Sequence, residues 1–117
     1  MIAAVLALAL LAAPYERAPL GAGDVDWLDL PTAEDMERFY PNTTARPDNV
    51  LVVLECVIAR GGRPDSCRVV EVTGRDNGEV TATLRLASKF RMTPRTKSGE
   101  STTGRKVRIP VRWMPPE

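Results

Sequence analysis

The stretch VLVVLECVIARGGRPDSCRVVEVT, from Val50 to Thr73, decides the fold of this 117-residue chain. Val52, Leu54, Cys56 and Ile58 make one face of a period-two segment wholly apolar. Glu55 falls on the other, so residues 50 to 59 read as a half-buried strand. Gly61-Gly62 follows, and glycine pairs accept the positive backbone angles of two-residue hairpin turns. The returning strand then covers about Ser66 to Thr73. With the turn centred between the two glycines, Cys56 lies opposite Cys67, Glu55 opposite Arg68, Leu54 opposite Val69 and Val53 opposite Val70. Three residue types agree on one antiparallel register. In an oxidising compartment the two cysteines would form a disulfide that adds roughly 2 to 3 kcal/mol. In a reducing one they would remain two packed thiols.

Working outward toward the C-terminus, Asp76-Asn77-Gly78-Glu79 has the form of a helix start, with Glu79 able to reach back to a cap at Asp76. Val80, Leu84, Ala87 and then Phe90 or Arg91 step at three and four residues, which predicts a helix to about Phe90. Pro94 ends any continuation, and residues 95 to 104 read as a polar loop. Val107, Ile109, Val111 and Trp113 then alternate with Lys106, Arg108, Pro110 and Arg112, the pattern of a strand over 105 to 113 with one packed and one basic face. Proline cannot donate to a ladder, so this strand belongs at a sheet edge.

Toward the N-terminus, Thr32 stands ahead of Glu34 and Asp35 as a cap, and Met36, Phe39 and Tyr40 share one side of a short helix over 33 to 40. Pro41 stops it and residues 42 to 49 connect to the hairpin. Residues 14 to 26, rich in proline, glycine and acids, read as a linker, so the domain would span 27 to 117. Ile2 to Ala13 is an unbroken apolar run ending in small residues, the form of a signal-peptide hydrophobic region. Its twelve residues fall short of the roughly twenty that span a bilayer. A short uncleaved anchor and a buried N-terminal helix are the other readings.

Composition narrows the chemistry. Histidine is absent and only two cysteines are present, which removes the commonest neutral-pH base and the ordinary zinc ligand sets. No metal or cofactor is expected. The acids Glu55, Asp65 and Glu71 lie on or near the hairpin, but no base, nucleophile or phosphate-binding loop accompanies them, and the chain does not read as an enzyme. Residues 80 to 117 carry nine bases against two acids, whereas residues 1 to 79 carry seven bases against thirteen acids. The bases are dispersed among apolar positions, so they read as a solvated face and not as a nucleic-acid surface.

Tyr40-Pro41, the hairpin with its glycine turn, Leu84 to Ala87 running into Phe90-Arg91-Met92-Thr93-Pro94, and the closing Val107 to Val111 follow one another in an order that resembles the C-terminal domain family of TonB, over roughly residues 31 to 113. The resemblance implies an α+β domain with a three-stranded antiparallel sheet backed by helices, in the order α-β-β-α-β. It implies a periplasmic binding module that takes up an extended segment of an outer-membrane transport receptor by strand addition, with no small-molecule substrate and no nucleic acid. Val107, Arg108, Ile109, Pro110, Val111 and Arg112 are the partner-binding residues on this reading. Unlike that family, the sequence shows no membrane-spanning helix bearing serine and histidine and no long proline-rich spacer. Energy transduction is therefore not expected, and membrane contact would come only through an uncleaved leader. A domain that dimerises through its edge strands, as an envelope accessory protein, is the alternative.

Overall fold

The structure, a computed structural model, describes residues 17–41 and 49–114. The expected leader, the first residues of the expected linker and most of the connecting loop after Pro41 lie outside the described residues. The fold is mixed α+β. Strands β1 (Val25–Asp29), β2 (Val50–Ile58), β3 (Pro64–Thr73), β4 (Arg91–Thr96) and β5 (Lys106–Trp113) accompany helices α1 (Ala33–Phe39) and α2 (Glu79–Leu86), with single 3₁₀ turns at Ala22–Asp24 and Ala87–Lys89. One sheet has the order β3-β2-β5 and is antiparallel throughout; β1 and β4 pair as a second, two-stranded sheet.

Period two sets the core. Val50, Val52, Leu54, Cys56 and Ile58 of β2 are all buried, as are Val107, Ile109, Val111 and Trp113 of β5, and both rows face the helices. Leu86 and Ala82 of α2 meet them from above, and Met92 and Val25 bring the small sheet into the same cluster. Trp113, at the end of β5, donates its indole N–H to the Thr83 hydroxyl at 2.7 Å, and that hydroxyl donates to the Glu79 carbonyl at 2.6 Å. The deepest aromatic thus finds its polar partner on α2, which fixes the helix over the sheet.

Helix α1 begins with the expected cap. The Thr32 hydroxyl accepts from the Asp35 N–H and the Asp35 carboxylate accepts from the Thr32 N–H, both at 3.0 Å. At α2 the details differ from expectation. Asp76 accepts from the N–H groups of Gly78 and Val80, but Glu79 reaches Asn77 and not Asp76. Regular helix ends at Leu86, and residues 87 to 89 tighten to 3₁₀.

The hairpin carries three of the four predicted pairs, for a reason the sequence did not suggest. The turn is centred on Gly61, not between the glycines, since Ile58 opposes Pro64. Ser66, at φ 49°, then adds one residue to β3 as a bulge and shifts the register by one. The two offsets cancel, so Glu55 opposes Arg68, Leu54 opposes Val69, and Cys56 and Cys67 form a disulfide with Cα atoms 4.1 Å apart. A second bulge at Val70 breaks the expected Val53–Val70 pair, and Val53 opposes Glu71 instead.

Two expectations are corrected by the small sheet. Residues 20 to 26, read as linker, are structured: Leu20 and Val25 are core residues and β1 starts at Val25. Part of the expected loop after Pro94 is β4, whose Met92 and Thr96 oppose Trp27 and Val25. The observed order therefore holds two strands more than α-β-β-α-β. The small sheet is tied to the hairpin by the Met92 N–H, which donates to the Gly62 carbonyl at 2.8 Å. A Cβ built on Gly62 would collide with the Met92 carbonyl, whereas one on Gly61 meets nothing, and both glycines have positive φ. Gly61→Ala is therefore expected to cost about 1 kcal/mol of backbone strain alone. Gly62→Ala should cost more than about 2 kcal/mol, because β4 must move off the turn. Urea unfolding of the two variants side by side checks the difference.

Candidate functional site

The last strand lies at the edge of its sheet, and the direction of its backbone groups follows from one contact. The Leu20 N–H donates to the Lys106 carbonyl and the Arg108 N–H donates to the Leu20 carbonyl, both at 2.8 Å, as a parallel bridge opposite Val107. Groups alternate along a strand, so Lys106, Arg108, Pro110 and Arg112 all aim their backbone outward, and the odd-numbered residues bond to β2. Pro110 thus sits where its missing donor costs the sheet nothing. Past the Arg108 amide, the carbonyls of Arg108, Pro110 and Arg112 and the Arg112 N–H have no backbone partner among the described residues.

The edge is therefore half covered by the chain itself. Leu20 is 8% exposed and belongs to the core cluster. Its neighbours are held by charge: Arg17 pairs with Glu100 at 2.9 Å, Arg105 pairs with the same carboxylate at 3.0 Å, and Arg105 also donates to the Ala18 carbonyl. After Leu20 the chain leaves the ladder in a 3₁₀ turn, Ala22–Asp24, that still packs beside β5, with the Gly21 N–H bonded to Asp24.

Side chains of β5 divide by face. Val107, Ile109 and Val111 are buried, so of the predicted partner-binding residues only their backbones could be reached, and their groups already face β2. Arg108, Pro110 and Arg112 are exposed on the outer face. Arg108 is not a free cation. It donates to Glu55 at 3.1 Å while Arg68 donates to the other Glu55 oxygen at 2.9 Å, an ion ladder across all three strands. Glu55 is 4% exposed. Its hydrogen bond from Arg68, joined by that from Arg108, outweighs desolvation and holds its carboxyl below the usual glutamate range. The other acids singled out, Asp65 and Glu71, are exposed on β3, opposite Val57 and Val53, and do not join Glu55 in one site.

Beside the open half of the edge, α1 and the segment before it leave a groove. Two adjoining clefts, of about 610 Å³ and about 240 Å³, share Met36 and Arg112; Tyr40 and Met114 line the first, Leu30 and Pro110 the second. Tyr40 also packs edge-on to Trp113, with centroids 5.9 Å apart. Met36 was legible in the sequence as a helix-face residue, but nothing in the spacing tied it, or Leu20 and Leu30, to the last strand. Comparison with known protein families, curated proteins and solved structures finds no match to this chain.

Two outcomes follow. The folded-state pKa of Glu55 lies below its unfolded value, so its contribution is full above the ordinary glutamate range and lost as the pH falls through the lower folded value. Glu55→Gln should therefore flatten the acid limb of a stability–pH curve measured by denaturant unfolding. Leu20→Ala is expected to cost about 2 kcal/mol or more. Exchange of the Arg108 amide, measured by NMR in deuterated buffer, should speed up with it.

Proposed function

We propose that this chain is a protein-interaction module of the cell envelope, not an enzyme, and that it takes up an extended peptide by strand addition along the outer edge of β5. The observation that carries this reading is the open run of outward backbone groups from the Arg108 carbonyl to Arg112 on a sheet edge beside an apolar groove. Backbone pairing would supply most of the affinity, and the exposed Arg112 would steer an acidic partner. The likeness in order and spacing to the TonB C-terminal domain family names the first partner to try, a segment of an outer-membrane transport receptor. The disulfide fits an oxidising, extracytoplasmic compartment, which we take to be the periplasm. Among the described residues no helix is long and apolar enough to cross a membrane.

Titration of the purified chain with extended receptor peptides, followed by amide shifts, tests this. The expected shifts cluster at residues 109 to 114 and around Met36, with the Arg112 amide gaining protection from exchange. Arg112→Glu should slow association and flatten its salt dependence while sparing the fold. Reversal at Arg108 is the wrong variant, since it would set a second acid against buried Glu55. Shifts centred on the Gly61-Gly62 turn, or none with any receptor peptide, would defeat the reading, and concentration-dependent shifts without peptide would mark the edge as a contact between two copies.

A further inference from the structure

We infer that the groove between α1 and the open half of β5 reads the side chains of the bound strand, and that it selects a segment in which apolar residues alternate with acids. This rests on the strand-addition reading and adds to it a partner chemistry and a register.

The segment around Leu20, a strap across the start of β5, already shows how the edge accepts an extended residue. Leu20 bonds through its backbone to Lys106 and Arg108, and its side chain drops onto the helix side of the sheet to join the core. A peptide continuing along β5 beyond that point would send every second side chain to the same side. There it meets the two clefts, walled by Leu30, Met36, Tyr40 and Met114. Leu30 and Met114 are 55% and 63% exposed, large apolar side chains left in water, one in each cleft. Covering them, together with the incoming side chain, is favourable by roughly 25 cal/mol per Å² of apolar surface. Glu37 and Arg112 both border the larger cleft, so its apolar walls and not its charge set the preference on this side.

The intervening side chains emerge on the opposite face, beside Arg108 and Arg112. Arg108 is neutralised by Glu55, but Arg112 has no ion pair among the described residues. An acid at that position would find an exposed cation directly across the ladder, where opposite charges contribute about 0.2 to 1 kcal/mol. The strap sets the length. It holds the first part of β5, so the site spans about six residues, or roughly 20 Å of extended chain.

The test uses the full chain and three synthetic heptapeptides: leucine alternating with aspartate, the same peptide with serine for leucine, and the same with lysine for aspartate. Binding is read by fluorescence anisotropy and by the Arg112 amide shift. The leucine–aspartate peptide should bind best, and the serine peptide at least about ten-fold more weakly. Leu30→Ser combined with Met114→Ser, both at exposed positions, should weaken the leucine peptide and leave the serine peptide unchanged. Arg112→Gln should narrow the gap between the aspartate and lysine peptides. Equal binding of the leucine and serine peptides, with the Arg112 amide still shifting, would overturn the groove's role and leave strand addition standing. No shift on β5 with any of the three would overturn both. Movement of the Leu30 and Met114 signals on concentration alone would assign the groove to a second copy and overturn the peptide reading.

Discussion

Strand β2 is hydrogen-bonded on both sides, to β3 and to β5, and its helix-facing row is buried from Val50 to Ile58. A strand so placed cannot slip. A shift of one residue would exchange that row for Leu51, Val53, Glu55 and Val57, burying a carboxylate in the core and exposing five apolar side chains. The neighbouring strands inherit their registers from this constraint. On one side the Cys56–Cys67 bridge repeats it covalently, and on the other Val107 and Ile109 meet Cys56 and Leu54.

The outer face of the same strand solves a different problem. Glu55 is almost inaccessible to water although it lies on the solvent side of the sheet, because two arginines from the flanking strands cover it. Exposed ion pairs usually contribute little. Here the carboxylate is shielded and accepts from both sides, so the ladder specifies which strands flank β2 as well as adding stability. The arrangement also uses up the charge of Arg108, which leaves Arg112 as the cation available at the far end of β5.

Sheet edges invite unwanted pairing, and the two edges here are treated differently. On β3, bulges at Ser66 and Val70 interrupt the ladder. On β5, Pro110 removes one outward donor and Leu20 occupies the Lys106 carbonyl and the Arg108 amide. Yet the run from the Arg108 carbonyl to Arg112 is left open, next to exposed Leu30 and Met114. That run is where the proposed strand addition would take place.

Much of the central sheet was legible in local spacing. The alternation of residues 50 to 58 and 106 to 113, the cap at Thr32 and the pairing of Cys56 with Cys67 all depend on neighbours in sequence or on a short turn. Pro110 likewise announced an edge, because a missing donor has one tolerable place in a sheet. The offset at Gly61 and the bulge at Ser66 were not legible: the turn docks on Met92, 30 residues further along the chain from Gly62, and no glycine marks the bulge at Ser66. The small sheet was missed for a related reason. The sequences of β1 and β4 alternate poorly, one contains Pro94, and their pairing is stabilised by a core to which they add only Val25 and Met92, with Trp27 packed against it. What the sequence by itself determined is the set of strands whose faces differ in polarity. Only the tertiary structure decided that Leu20 lies on the edge of β5 and that α1 stands beside its open half, because both are contacts between segments far apart in the chain, and no local periodicity records them.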